Sequence, residues 1–476
     1  MNNLLKIFLF MCIVVGGLLL LQLLPEMEIL GYQLRPVSLF SDILNDEDSP
    51  AFEDSEYQQL AESDTQNLSS TQHSNTKRDS IRTLSEDGLD VFYQRLIEID
   101  TLSRPVRIAY FGDSFVEGDI LTGELRILLQ DYFGGSGVGF VDVNHPTADL
   151  RATVRTTCRN FSSHAATDKE GFKNALSGID LIYAIPTDTL ASFSLTMHGK
   201  KEGELSTVYY HSHPDVEFSA RVDGKKVEDI DTLISGNITT ATIEKPMRKI
   251  CWDFHLKCDD DTLRCFDLPK CPVFGAAIEG KRGIVLDNFS LRGNSGMVLS
   301  RVPEQTLRNF LKLRHYDLII LGYGLNIASK KSTNYEFYER QMQRIAERFF
   351  RLSPQTSIMI AGVGDRAEKT EKGIVSRPEI MLLNKSQQRM AKNSGCAFWN
   401  MYLTMKRLGG IKAMTEATPP QASKDYTHIN YLGGKILAEK LFRDILDGFQ
   451  RYKQKHDEEN NNNIPVDYSD MHGAEL

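Results

Sequence analysis

Val106-Arg107-Ile108-Ala109-Tyr110-Phe111-Gly112-Asp113-Ser114 is an apolar, strand-like run that stops on Gly-Asp-Ser. A helix is predicted from about Asp119, with Ile120, Leu121, Leu125, Leu128, Leu129 and Tyr132 on one apolar face and Gly134-Gly135 as its stop. Before the strand, Leu89, Phe92, Leu96 and Ile97 recur at helical spacing and predict another helix from about Gly88. A buried strand that feeds a helix through a short polar turn is the opening unit of a parallel sheet.

The same alternation returns late in the chain. Strands are predicted at 284–289, 317–321, 357–362 and 397–401, separated by helical segments at 303–313, 335–352, 378–394 and 431–452. Between about Thr147 and Gly280 short alternating or β-branched runs dominate, at 191–197, 206–211, 216–222 and 249–256, with Asp223-Gly224 as a hairpin signal. The expected fold class is α/β: a parallel sheet with helices on both faces, split after its first unit by an all-β insertion.

Composition sets the context. The chain has 476 residues, 41% hydrophobic and 25% charged, enough for one or two cores. Its formal charge of -9 argues against a nucleic-acid partner, because nothing would neutralise a row of phosphates. An uncharged run at 7–24, after Lys6 and before Pro25, is long enough to span a bilayer core as a helix. No small-x-small cleavage site follows it, and the short basic flank places the body outside the cytoplasm. Residues 42–82 are rich in Asp, Glu, Ser, Gln, Asn and Thr and read as a tether.

The expected organisation is a membrane anchor at 1–25, a disordered linker at 26–85 and the α/β domain at 86–146 and 283–455. A β-sandwich is expected at 147–282 and a disordered tail at 456–476. Four of the seven cysteines, Cys251, Cys258, Cys265 and Cys271, read as loop-stapling disulfides or as free buried thiols. They lack a Cys-x-x-Cys pair, so zinc is not expected. His211 and His213 read as an exposed turn pair, Trp252 and Trp399 as core, and Asp365-Arg366 as an ion pair. Tyr323 lines an acyl pocket or packs beside Asn326.

Chemistry enters through a second motif, Asp425-Tyr426-Thr427-His428, just before the last helix. With Ser114 it supplies a nucleophile, a base and the carboxylate that orients the base. Reactive groups in doubly wound folds gather where strands end, and Ser114 stands there. An acyl-transfer site also needs donors for the developing oxyanion. Candidates are the N–H of Ser114, the N–H of Gly293 in Leu291-Arg292-Gly293-Asn294, and the side-chain amide of Asn326 in Gly324-Leu325-Asn326. No metal or organic cofactor is required by this chemistry.

These four blocks, centred on Ser114, Gly293, Asn326 and His428 in that order, resemble those of the SGNH, or GDSL-type, hydrolases. The resemblance covers about residues 104–145 and 280–448 and implies a flavodoxin-like three-layer α/β/α sandwich. It also implies Ser114, Asp425 and His428 as the catalytic set, with Ser114, Gly293 and Asn326 as the oxyanion hole. Ile327 follows Asn326 where the family pattern has an acidic residue. A closer resemblance is to the branch that includes bacterial peptidoglycan O-acetylesterases, which carry a β-sandwich similar to a carbohydrate-binding module between the Ser and Gly blocks. That branch implies an O-acetylated envelope glycan as substrate; with the apolar run at 7–24, the expected place is the periplasm of a bacterial envelope, anchored to the inner membrane. An O-acetyltransferase working beside a membrane acyltransferase, and a non-catalytic glycan-binding protein, are the alternative functions.

Overall fold

Near-continuous apolar runs build the central sheet: the strands at 106–112, 284–290, 316–322 and 357–361 are buried along almost their whole length, as strands covered on both faces must be. The computed structural model of the chain describes residues 27–29, 32–34, 88–168, 170–199, 201–257, 271–330, 332 and 334–462. Within the span expected as linker, β1 (Met27–Ile29) and β2 (Tyr32–Leu34) form an antiparallel pair in a unit of their own. The span expected to cross a membrane, 7–24, lies outside the described residues. Among those described, no helix is long and apolar enough to do so.

The main unit opens with α1 (Asp90–Ile97), β3 (Val106–Gly112), α2 (Thr122–Phe133) and β4 (Gly137–Asp142). After the insertion come β16 (Ile284–Ser290), α3 (Glu304–Arg314), β17 (Tyr316–Gly322), α4 (Glu336–Leu352) and β18 (Ser357–Ala361). A hairpin of β19 (Ala367–Thr370) and β20 (Gly373–Ser376) follows, then α5 (Pro378–Asn393) and β21 (Ala397–Trp399). The chain closes with α6 (Met401–Arg407), α7 (Gly410–Glu416) and α8 (Tyr431–Asn462).

The sheet order is β16-β3-β17-β18-β21, all parallel. Numbered by their own succession, these strands run 2-1-3-4-5, so the order reverses beside β3, the position where open α/β sheets bind ligands. Helix α8 runs past the expected end at 452. Its last turns are polar, and pairs at helical spacing, Gln454 to Glu458 and Lys455 to Glu459, support them.

The insertion holds β5 (Val154–Arg159), β6 (Phe161–Ala165), β7 (Ile182–Pro186), β8 (Leu190–Met197), β9 (Gly203–Tyr210) and β10 (Val216–Val222). It continues with β11 (Lys225–Val227), β12 (Asp231–Ser235), β13 (Ile238–Met247), β14 (Lys249–Leu256) and β15 (Val273–Glu279). They form two antiparallel sheets, β11-β10-β14-β8-β5 and β12-β13-β9-β15-β7-β6. The turn Asp223-Gly224 joins β10 to β11 as a two-residue hairpin. Trp252, Phe193, Phe254, Val208, Ala276 and Ile243 fill the space between the sheets. β4 leaves the first segment to pair along β15, so the second sheet recruits it.

Buried charge locks the insertion to the core. Arg314, fully buried, donates to both oxygens of Asp287 on β16, to Glu279 on β15 and to the Tyr209 hydroxyl on β9. Burial works to raise the Glu279 carboxyl, but Arg107 and Arg314 hold it down at about 2.

Trp252 and Trp399 are both core, the latter donating to Asp444. Asp365 is buried and faces Lys406 at 3.9 Å while accepting from Ser376 and from the N–H of Ile411. His211 and His213 are half-buried rather than exposed, because the turn folds back until His211 meets the Phe274 ring edge-on. Cys251 and Cys271 are free thiols, while Cys258 and Cys265 lie outside the described residues.

Candidate active site

Parallel register brings three blocks to one level. Ser290, Gly112, Gly322 and Ala361 are Cα partners across β16, β3, β17 and β18. Ser114 stands two residues beyond Gly112, Gly293 three beyond Ser290 and Asn326 four beyond Gly322. Short loops from adjacent strand ends cannot stray far, so these residues share one rim.

Hydrogen bonds stitch the loops together. The N–H of Leu291 donates to the Gly112 carbonyl at 3.0 Å, joining the Gly loop to the Ser loop. The Asn326 amide donates to the Asn294 carbonyl at 2.9 Å, joining the Asn loop to the Gly loop. The buried Asn294 side chain accepts from the N–H of Gly296 at 2.7 Å and shapes that turn. Gly293 has a φ of 75°, a left-handed value that suits glycine, and open space lies where a side chain would project. Tyr323 packs its ring beneath Gly296.

Asp113 is the residue whose role the motif alone does not disclose. Its buried carboxylate accepts from the N–H of Phe115 at 3.1 Å, and the backbone of Gly324 and Leu325 lies near enough to favour its charged form, so the Ser loop and the Asn loop meet at this side chain. Burial pushes it up to about 6, against the pull of those donors and of His428.

The fourth block arrives from the chain's far end. His428 Nδ1 lies 2.6 Å from Asp425 Oδ2, and Asp425 Oδ1 accepts from the N–H groups of Thr427 and His428. Burial alone would raise the Asp425 carboxyl, but these contacts lower it below its ordinary value. An ionised Asp425 accepts from Nδ1–H, which leaves Nε2 unprotonated and able to act as a base. The β19–β20 hairpin steadies this loop through the N–H of Ala367, which donates to the Tyr426 carbonyl at 2.9 Å.

Helix α8 carries that loop to the Ser block. Gly434 packs so tightly on the Ile120 carbonyl that a Cβ would overlap it, and the Tyr431 hydroxyl reaches the Gly118 carbonyl. Burial raises the carboxyls of both Asp113 and Glu117, and a positive charge on His428 would work against it. Burial still leaves Glu117 raised, with Arg292 at 3.9 Å opposing it. Among the described residues, no group of three or more His, Cys, Asp or Glu side chains is arranged to hold a metal.

No family model matches the chain, and no curated relative matches it. Its structure is similar to that of a peptidoglycan O-acetylesterase, with a TM-score of 0.62 at 20% identity over 78% of this chain and 98% of that one. That share exceeds what the α/β core alone contains, so the likeness includes the insertion. More partial matches are a family two carbohydrate esterase from Clostridium thermocellum, with a TM-score of 0.28 at 10% identity over 56% of this chain and 95% of that one. An acetyl xylan esterase has a TM-score of 0.27 at 15% identity over 34% and 81%. The chain has an SGNH hydrolase-like fold, a parallel α/β core interrupted by a β-sandwich, similar as a whole to a peptidoglycan O-acetylesterase.

Proposed function

We propose that this chain is a membrane-tethered serine esterase of the SGNH type that removes O-acetyl groups from a cell-envelope polysaccharide such as peptidoglycan. The observation that carries the reading is the Asp425–His428 pair at 2.6 Å on the loop that leads into α8, whose first turn packs on the segment that follows Ser114. The peptidoglycan O-acetylesterase likeness supports the glycan substrate, and the apolar run at 7–24 supports the tether.

In this reading Ser114 Oγ attacks the acetyl carbonyl carbon and its proton passes to His428 Nε2. The N–H groups of Ser114 and Gly293 and the Asn326 amide receive the oxyanion, each donor worth roughly 3 kcal/mol of barrier. The sugar oxygen leaves with the proton held by His428. Water, deprotonated by the same ring, then releases acetate from Ser114. Asp425 keeps the ring in the right tautomer throughout.

The test is acetate release from O-acetylated peptidoglycan and turnover of p-nitrophenyl acetate, compared with the Ser114→Ala variant. Turnover is expected to vanish in the folded variant; undiminished turnover would remove Ser114 from the role. Release of p-nitrophenol with the acetyl group recovered on an added sugar acceptor, and little free acetate, would turn the reading toward acetyl transfer.

A further inference from the structure

The β insertion and the segment leading into it touch the Gly loop at two points, and one is built as a hydrogen-bond relay. His145 lies between β4 and β5. Its Nδ1 accepts from the N–H of Thr147 at 3.1 Å and contacts the Thr147 hydroxyl at 3.0 Å. A backbone N–H can only donate, so Nδ1 is unprotonated and the ring's proton sits on Nε2. Nε2 is 2.9 Å from the Ser290 carbonyl and therefore donates to it.

That carbonyl belongs to the peptide group joining Ser290 to Leu291. The N–H of the same group donates to the Gly112 carbonyl at 3.0 Å. One peptide plane is thus held at both ends, by the Ser block on one side and by His145 on the other. Gly293 follows two residues later. The Leu291 side chain is gripped independently, packing against Ala165 of β6 and Ile182 of β7.

We propose that His145 is a positioning residue for the oxyanion donor of Gly293, an inference that rests on the esterase reading. The segment that leads into the β insertion is then a working part of the active site, bracing the Gly loop. Burial, aided by the Arg151 charge, holds the ring near 4 against the pull of the Ser290 bond, so it stays a neutral donor at working pH. Its role is to fix the plane, and it takes no proton from the substrate.

The experiment compares two substitutions of similar size in the full chain at pH 8. His145→Gln keeps an N–H donor within reach of the Ser290 carbonyl, whereas an ionised carboxylate in His145→Glu has none to offer. Readouts are kcat and KM for p-nitrophenyl acetate, the rate at which a fluorophosphonate labels Ser114, and Tm. Expected for His145→Glu is a fall in kcat and labelling rate of about 100-fold, the cost of a donor misplaced by an ångström, with KM little changed. Expected for His145→Gln is recovery to within about threefold of wild type. Equal rates in the two variants, both high or both low, would overturn the assignment, as would loss of the acidic limb of the pH profile in His145→Gln. A wild-type chain that neither turns over ester nor takes the label would instead sink the esterase reading.

Discussion

The Tyr431 hydroxyl donates to the Gly118 carbonyl at 3.1 Å and also meets the Leu150 carbonyl. Tyr431 begins α8 three residues after His428, and Gly118 lies four residues after Ser114. This contact ties the start of α8 to the segment that follows Ser114, so under the proposed mechanism its loss loosens their alignment more than their folding. For Tyr431→Phe we expect a stability loss of about 1 kcal/mol. The accompanying drop in kcat, measured with p-nitrophenyl acetate, should be about tenfold, larger than the stability change implies. Unchanged kcat would show that Gly434 packing alone sets the register of α8.

Asp425 accepts three hydrogen bonds, and the one from His428 Nδ1 fixes the ring's tautomer. In Asp425→Asn the amide can turn a donor toward Nδ1, which moves the ring proton to Nε2 and, under the proposed mechanism, leaves Ser114 without its base. A kcat loss of roughly 10³- to 10⁴-fold is expected. The backbone N–H groups of Thr427 and His428 can still be accepted, so Tm should move little. A variant that retains a tenth of the activity would mean that the ring is oriented by something else.

Much of this site is legible in the sequence because each block sits at the end of a strand or the start of a helix. Gly112-Asp113-Ser114 follows β3, Leu291 to Asn294 follow β16, and parallel register does the rest. β4 escapes such a reading because its partner β15 lies on the far side of the insertion, and long-range pairing leaves no local mark. The helices α6 and α7 escape it for another reason. Short segments at 401–407 and 410–416 carry too few turns for periodicity to separate them from a loop. His145 is a lone histidine without a motif, and only the folded chain reveals that its ring meets the Ser290 carbonyl. Asp113 is visible as a letter of the motif, yet its closeness to the backbone of Gly324 and Leu325 depends on a loop over two hundred residues away.

Arg314 has no exposed surface and serves Asp287, Glu279 and Tyr209 at once. Removing the guanidinium in Arg314→Leu strands two carboxylates in the interior beside each other. A loss of about 3–5 kcal/mol is expected, read as a shift in the urea midpoint at pH 7. The damage should ease at low pH, since protonating Glu279 relieves part of the stranded charge. A variant as stable as the wild type at pH 7 would show that Arg107 alone can balance both acids.

Asp142, at the end of β4, and Asp180, just before β7, form a buried carboxyl pair hydrogen-bonded to each other. Burial first, then the charge of Asp180, pushes Asp142 well above the ordinary carboxylate range, so the pair keeps a proton at neutral pH. A folded-state value raised above the unfolded one means that the stabilising proton is fully bound below about pH 4, the unfolded value. The contribution is then lost as pH climbs through the folded value. Asp142→Asn keeps a donor for Asp180 and cannot ionise. Wild-type Tm should therefore fall more steeply than the variant's between pH 5 and 9, and the variant should be the more stable at the alkaline end. Parallel Tm curves across that range would show that the two carboxyls do not share a proton. A variant that loses stability most at pH 9 would reverse the sign and place the proton's cost in the folded state.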